Sequence, residues 1–472
     1  MLSRRDDPIL ALATPPGRGA VGVVRLSGPS LHAFAQHLAQ RTLNPRQATL
    51  LTLRDAHAQQ IDQVLAVFFP APHSYTGEDV LELQGHGGPA VLQMVLQHCL
   101  EVASQTSANG QPWLPRLRLA EPGEFTQRAY LNHKLDLAQA EAVADLIDAQ
   151  TAAAVRSASR TLVGDFSRQV HRLADQLLQT RMQIEASLDF PEEPLDLQSV
   201  EGIANGLREE IAQVQAVLQS AEQGRLLRDG LTVAIVGQPN AGKSSLLNAL
   251  AGDEVAIVTP LAGTTRDVLH HTLSIEGVPI HVRDTAGLRD AALADDIERI
   301  GMNRAWAQLA QVDLVLLLND LSRQHEADYA QAQQQLVAQV QTALSPHTVC
   351  LTVHNKSDIQ HQPHTRAADA IAISAKTGEG LDGLKARLLA SAGWSSAAQE
   401  GVFTARKRHV NALQQVVVHL QQALDVLNEP LPAWDLLAEE CRLAHQHLGA
   451  LTGEVGADEL LGEIFSRFCI GK

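Results

Sequence analysis

The most restrictive stretch of this sequence is Gly237-Gln-Pro-Asn240-Ala-Gly242-Lys243-Ser244. It follows Leu231-Thr-Val-Ala-Ile-Val236, a short apolar, β-branched run that reads as a buried strand. Ser245-Leu-Leu-Asn-Ala-Leu250 comes next and reads as the opening turns of a helix. Strand, glycine-rich turn and helix together are the context that a phosphate-cradling loop needs. Gly237 and Gly242 let backbone amides approach phosphates that lie on the positive end of the helix. Asn240, Ala241 and Ser245 fall in the same phosphate-binding set. Lys243 would neutralise the β- and γ-phosphates, and the Ser244 hydroxyl would ligate magnesium.

Three further motifs follow in the order expected of a GTP-binding domain. Gly263-Thr264-Thr265-Arg-Asp267, reached through Thr259, Pro260, Leu261 and Ala262, offers hydroxyls to magnesium and a γ-phosphate, with Thr265 the metal ligand by position. Asp284-Thr285-Ala286-Gly287 closes the strand-like run Ile280-His-Val-Arg283. There Asp284 would hold the metal through water, and the Gly287 amide would sense the γ-phosphate.

Asn355-Lys356-Ser357-Asp358 follows the apolar run Thr348–Val353. The Asp358 carboxylate can accept two bonds from the N1 and N2 edge of guanine. Adenine lacks that donor pair and would leave a buried carboxylate unsatisfied. Lys356 can lay its methylenes along the base while its charge stays wet. Ser374-Ala375-Lys376 would supply a backbone amide to the guanine oxygen. The residue after Asp-x-x-Gly is Leu288, where signalling GTPases carry a water-orienting glutamine. Another group must therefore position the water, and another cation must meet the transition-state charge.

At 472 residues the chain exceeds one ordinary core, and two to four domains are expected. A formal charge of −16 argues against a broad basic surface that coats nucleic acid, although not against one local RNA site. Cys99, Cys350, Cys441 and Cys469 are scattered without a CxxC pair, which fits a reducing cytoplasmic setting and no zinc knuckle. Met-Leu-Ser-Arg-Arg-Asp-Asp does not open a signal peptide, and no apolar run is long enough to span a bilayer. Cys469-Ile-Gly-Lys472 does not fit a prenylation signal, and His445-Gln-His447 and His361-Gln-Pro-His364 read as surface.

Residues 1–118 read as a mixed α/β module. Strands are expected at Ile9–Thr14, Ala20–Leu26, Val64–Phe69 and Val80–Leu83, and helices at Leu31–Gln40 and Pro89–Val102. Helical stripes follow over 119–229: Leu162, Phe166, Val170, Leu173, Leu177, Ile184 and Leu188, then Ile203, Leu207, Ile211, Val214 and Leu218 after Pro191-Glu-Glu-Pro194. Residues 230–380 show the strand–helix alternation of a doubly wound domain. Helical texture returns over 381–472, with Leu413, Val417, Leu420, Leu424 and Leu427, then Leu436–Leu451 and Leu460–Phe468. The expected organisation is multidomain, α/β plus all-α, with the nucleotide-binding domain inserted into a helical one.

Several segments resemble one family, the MnmE (TrmE) tRNA modification GTPases. They are Ala13–Arg25, Tyr75–Glu82, Glu121–Asn132, Lys134–Glu141, the GTPase motifs and the terminal Cys469-Ile-Gly-Lys472. The resemblance runs from near Pro8 to the last residue. It implies cytoplasmic homodimers joined through N-terminal folate-binding modules. It also implies an FAD-dependent partner, MnmG (GidA), in a heterotetramer-type complex, and tRNA as substrate. The reaction implied places a carboxymethylaminomethyl-type group on C5 of the wobble uridine, with a one-carbon unit from 5-formyl- or methylene-tetrahydrofolate.

By position in the matching motifs, the resemblance implies folate contacts from Arg25, Glu82, Lys134 and Lys472. It implies a potassium ion beside the phosphates, held by Asn240, Thr259, Leu261 and Thr264, in the role of an arginine finger. Glu298 corresponds to the glutamate that orients water indirectly, with Asp295 and Asp296 as competing acids. Cys469 beside a folate site is a candidate for a direct role, or an inert thiol. The rival reading is an RNA-binding regulatory GTPase of ribosome-assembly type. That class shares the GTPase motifs and lacks the N-terminal module and the Cys-Ile-Gly-Lys end.

Overall fold

Strand alternation builds the first of two structural units, Met1–Ala144 together with Leu448–Lys472. Along Gln60–Phe69 every second residue turns inward, which buries Val64, Ala66 and Phe68 and leaves Leu65 exposed. The computed structural model describes residues 6–189, 197–252, 270–284, 309, 311–359, 370–395, 401–453, 458–466, 468, 469 and 471.

The sheet of this unit contains β1 (Ile9–Leu12), β2 (Val21–Gly28), β3 (Thr49–Arg54), β4 (Gln60–Phe69), β5 (Asp79–His86) and β6 (Arg118–Leu119), in the spatial order β3-β4-β5-β2-β1-β6. All neighbours are antiparallel except β1 and β6. Helices α1 (His32–Ala39) and α2 (Pro89–Ser104) pack Phe34, Leu38, Val95 and Leu96 onto one core with Val24, Leu26 and Phe68. Each such fully buried side chain stabilises by about 1.5–3 kcal/mol. Beside β1, Ile9 and Ala11 pack with Ala120 and Phe125, the latter from α3 (Glu124–Leu131). The strand β3 was not among the expected strands; its exposed Leu50 blurs the inward alternation of Leu51 and Leu53.

The chain's far end returns to this unit. Phe465 of α13 (Asp458–Ser466) and Phe468 pack on Leu137 and Ala140 of α4 (Leu137–Asp148). Gly123, in the left-handed region at φ 69°, lies so close that a Cβ there would meet the Phe465 carbonyl at 2.5 Å.

The second unit, Asp145–His447, combines long helices with a second sheet. Its helices include α5 (Ala152–Leu162), α6 (Asp165–Asp189), α7 (Leu197–Asp229) and α11 (Lys407–Leu427). The stripe residues Phe166, Val170, Leu173, Leu177, Ile184, Ile203, Leu207, Ile211 and Val214 are buried, as are Leu413, Leu420 and Leu424. Leu188, at the helix end, is 38% exposed and leaves the stripe. Pro191–Pro194 lies outside the described residues. α12 (Trp434–Thr452) begins in this unit. There His447 is half-buried and stacks with His419 at 5.4 Å, which corrects the surface reading of that histidine.

The second sheet runs β12-β11-β10-β7-β9-β8: β7 (Leu231–Gly237), β8 (His270–Ile275), β9 (Val278–Asp284), β10 (Leu314–Asp320), β11 (Val349–Asn355) and β12 (Ala370–Ala372). Every pairing is parallel apart from the edge strand β8. Helices α8 (Lys243–Ala251) and α10 (Leu381–Ser391) share one core with Ile235, Leu316 and Leu318, while Val340 of α9 (Ala327–Ala343) joins Ala234, Val236 and Leu317 in another. Both faces of β7 and β10 are therefore covered. That is why these strands read as continuous apolar runs.

Candidate functional site

Parallel strands present their carboxyl ends along one edge, and in open α/β sheets ligands collect there. β7 ends at Gly237, β10 at Asp320 and β11 at Asn355, so this edge carries the phosphate-loop motif and the Asn-Lys-Ser-Asp motif together. Gly237 packs on β10 so tightly that a Cβ would stand 2.9 Å from the Leu318 Cβ.

Between β7 and α8 the loop turns on two left-handed residues, Asn240 at φ 64° and Gly242 at φ 95°. A Cβ at Gly242 would lie 2.3 Å from Asn355 Nδ2, so the position requires glycine on both conformational and steric grounds. Lys243 Nζ donates to the Gly237 and Gln238 carbonyls at 2.8 and 3.1 Å and arches across the loop. Ser244 and Ser245 occupy the first turn of α8.

Asn355, buried at the end of β11, joins two loops. Its Nδ2 donates to the Ala241 carbonyl at 2.9 Å, and its Oδ1 accepts from the Ala375 amide at 3.0 Å. Ser374, also buried, donates from Oγ to Asp358 Oδ1 at 2.7 Å and accepts from the Thr377 amide. The Ser357 amide donates to the Ile373 carbonyl at 3.0 Å. Gly242, Ser245, Asn355, Lys356, Asp358, Ala375 and Lys376 are among the residues that line one open cleft of ≈ 640 Å³. A mononucleotide base and sugar fit in that volume.

One residue of this cluster went unread in the sequence. Asp320 ends β10, is buried, and accepts from Lys356 Nζ at 2.6 Å, so the Lys356 ammonium is ion-paired with a buried carboxylate and not left wet as expected. Burial alone would raise its carboxyl, but the bonds from Lys356 and Ser322 outweigh that and hold it below the ordinary carboxylate range. Its only sequence signal is an acid closing a run of five apolar residues and an asparagine.

The remaining nucleotide-site residues read from the sequence lie outside the described residues: Thr259, Pro260, Leu261, Ala262, Gly263, Thr264, Thr265, Thr285, Ala286, Gly287 and Glu298. Asp284 is placed only as the last residue of β9.

The N-terminal candidate site is built across two strands. Arg25 of β2 stands opposite Glu82 of β5, and its Nε donates to Glu82 Oε1 at 2.8 Å. Both side chains are mostly buried in the sheet's middle, so they are not strand-end surface charges. The Arg25 guanidinium lies 5.8 Å from the ring centres of both Tyr75 and Phe125. Tyr75 is held by Thr126 through hydroxyls 2.7 Å apart.

Lys134 donates to the Pro72 carbonyl at 3.1 Å. The exposed Cys469 gives its carbonyl to the Gly123 amide at 3.3 Å. Gly471 sits where a Cβ would meet the Leu12 carbonyl at 2.1 Å, so the terminal segment reaches the end of β1. Lys472 lies outside the described residues.

Beneath this site is an ionic network that the sequence reading missed. Arg128, with a side chain 3% exposed, donates to Glu78 at 3.0 and 3.2 Å, to Glu124 at 2.9 Å and to the Asp7 carbonyl at 2.6 Å. Arg118 makes two bonds to Glu124 at 2.7 and 2.8 Å. Burial would raise the Glu124 carboxyl, yet Arg118, the Glu121 amide and Arg128 together hold it low. The spacing of Glu124 and Arg128 four residues apart was the available signal.

Three comparisons bear on identity. Residues 137–469 match the model of the MnmE helical domain, and residues 8–134 match that of the GTP-binding protein TrmE N-terminus. The tRNA modification GTPase MnmE of Acidovorax sp. (strain JS42) is 56% identical over 479 residues, covering 100% of both chains. That of Paracidovorax citrulli is 54% identical over 488 residues, again with 100% of each chain covered. Among solved structures, a variant of Aquifex aeolicus Era bound to GDP.AlF4- matches at 24% identity over 43% of this chain and 69% of that chain. Its TM-score of 0.27 is too low to add to the case.

Proposed function

The chain belongs to the MnmE family of tRNA modification GTPases, and from that premise we propose that it is a potassium-stimulated GTPase acting on the tRNA wobble uridine. With an FAD-dependent partner of the MnmG type, it would add a carboxymethylaminomethyl-type group to C5. The observation that carries the GTP half is the Asn355 bridge, which fastens the phosphate loop to the Ser374 loop beside Asp358. The carboxylate of Asp358 then accepts from guanine N1–H and the 2-amine, a pair adenine does not offer.

The loop fits its ions. Left-handed Asn240 and Gly242 turn the backbone into a concave nest suited to phosphates. Ser244 in the first helical turn and Thr265 are hard oxygen donors suited to magnesium. Asn240, Thr259, Leu261 and Thr264 would hold potassium, again through oxygen. When bound, these cations supply positive charge against the charge that develops on the phosphate oxygens. Lys243 would add its own charge, Asp284 would help to hold magnesium through water, and the Gly287 amide would sense the γ-phosphate, with Thr285 and Ala286 in the same motif. Glu298, or the neighbouring Asp295 or Asp296, would orient the attacking water indirectly, since Leu288 stands where signalling GTPases carry a glutamine.

At the N-terminal site, Arg25, Lys134 and Lys472 would meet the carboxylates of a tetrahydrofolate derivative, while Glu82 bonds the amine-bearing ring. The half-buried Tyr75 ring beside Arg25 supports a flat ring ligand. Exposed Leu50 and Leu65, directly opposite each other on β3 and β4, support a homodimer joined through this module. We retain 1–118, 119–229, 230–380 and 381–472 as the folate, helical, GTPase and second helical segments. No helix among the described residues is long and apolar enough to cross a membrane. A cytoplasmic chain that handles tRNA suits the proposal.

The test has two arms. GTP hydrolysis is measured with sodium exchanged for potassium, and nucleosides are analysed in tRNA from cells lacking the chain. A rate that ignores the exchange removes the potassium role. Unaltered wobble uridines remove the modification role and leave a bare switch.

A further inference from the structure

The structure assigns to Asp320 the task of holding Lys356 in place in the base-binding cleft, as a positioning residue that does not itself touch nucleotide. The assignment rests on the guanine-site reading above and extends it by one residue. Lys356 follows Asn355 directly, and Asn355 is the register partner of Asp320 across the parallel β10–β11 ladder. The ladder therefore fixes the carboxylate one residue away from the lysine that needs it.

Lys356 itself sits at φ 68°, in the left-handed region that a lysine rarely adopts. A strained backbone of this kind persists only where surrounding contacts hold it. Lys356 Nζ meets Asp320 Oδ2 at 2.6 Å, with the aspartate side chain 1% exposed and the lysine 30%. Asp320 Oδ1 accepts from the Ser322 amide at 3.0 Å and from its hydroxyl, and the Asp320 amide donates to the Tyr329 oxygen at 2.8 Å. The Arg323 guanidinium covers the Tyr329 ring at 4.9 Å. Both carboxylate oxygens are thus engaged, and the aspartate is held against swinging away.

With its ammonium pinned at the β10 end, the lysine's methylenes have one course left, along the wall of the cleft that Lys356 lines with Asp358 and Ala375. A free lysine would have to be ordered by each incoming base. Here the ordering is already complete, and its loss corresponds to roughly tenfold in affinity.

The experiment is a double-mutant cycle on the full chain, read by calorimetric titration with GDP and magnesium and by steady-state GTP hydrolysis. Asp320→Asn is expected to raise the GDP Kd and the KM for GTP about tenfold while kcat stays near wild type. Lys356→Met keeps an apolar stem without the charge. In that background Asp320→Asn is expected to change GDP affinity no further, because the aspartate acts only through the lysine.

Should Asp320→Asn alone fail to fold, the comparison of Lys356→Met with the neutral double variant decides the matter. A further loss in the double variant overturns the assignment, as does an unchanged KM in folded Asp320→Asn. A wild-type chain that does not bind GDP overturns this assignment and the guanine reading together. Wild-type binding with an indifferent Asp320→Asn overturns this assignment alone.

Discussion

Asn355 Nδ2 donates to the carbonyl of Ala241, 2.9 Å away and 114 positions earlier in the chain. Through its other amide atom the same side chain holds the Ala375 amide, so one buried residue sets the distance between phosphate loop and base loop. Asn355→Ala leaves the buried Ala241 carbonyl unpaired, at about 1–3 kcal/mol, and frees the half-buried Ala375 amide. The expected result is a GDP Kd raised at least tenfold together with a lowered melting temperature. Calorimetry and thermal unfolding measure the two, and an unchanged Kd would show that the bridge does not shape the site.

Thr151 Oγ1 donates to the Gly277 carbonyl at 2.7 Å while accepting from the Ala154 amide at the start of α5. Gly277 is the tip of the β8–β9 hairpin, and Trp394 Nε1 reaches its neighbour Glu276 at 3.3 Å. Thr151→Ala removes a helix cap worth about 1 kcal/mol and the hairpin bond with it. Amide exchange at 275–278 is expected to quicken in Thr151→Ala and to return towards wild type in Thr151→Ser. Equal exchange in all three proteins would show that the hydroxyl does not hold the hairpin.

Glu210 of α7 is buried, and its Oε1 accepts from Thr180 at 2.7 Å. Burial pushes its carboxyl from 4.5 up to about 7, with the Thr180 bond opposing. A carboxyl raised in the folded state is unpenalised below the unfolded value, and its contribution is lost as pH rises through the folded one. Stability should therefore decline between pH 4.5 and 7 on account of this group. Glu210→Gln stays neutral, so it should match wild type near pH 4.5 and exceed it at pH 8 by up to about 3 kcal/mol. Melting curves at the two pH values test this, and equal gains at both would point to packing instead of charge.

Arg25→Ala breaks the cross-strand pair with Glu82, a loss of about 0.2–1 kcal/mol in stability. Binding of 5-formyltetrahydrofolate is expected to disappear, while GDP affinity is unchanged. Equilibrium dialysis with both ligands distinguishes a folate contact from a purely structural pair, because the latter would leave folate binding intact.

The sequence carried the nucleotide edge well, because its chemistry is local: strand, loop and helix follow one another within Leu231–Ala251. It also carried the helical stripes, since 3.6-residue periodicity survives wherever one face is buried. Asp320 was invisible because its meaning depends on Lys356, which lies 36 positions away and is adjacent only across a parallel ladder. The Arg128 network was hidden for a like reason, since Glu78 and Asp7 reach it only once β1 and β5 are in place. Arg25 and Glu82 could be named by resemblance, but their pairing belongs to the register of β2 against β5.

The proposed role of Asp358 is to select guanine, and exchanging the base probes that choice. Xanthine carries a carbonyl where guanine carries the 2-amine, so it should repel the Asp358 carboxylate and accept from an amide. Titrations with magnesium are predicted to show wild type binding GDP tighter than XDP by roughly a hundredfold or more. Asp358→Asn is predicted to reverse that preference. Equal affinity of wild type for the two nucleotides, or no affinity for either, would remove Asp358 from that role.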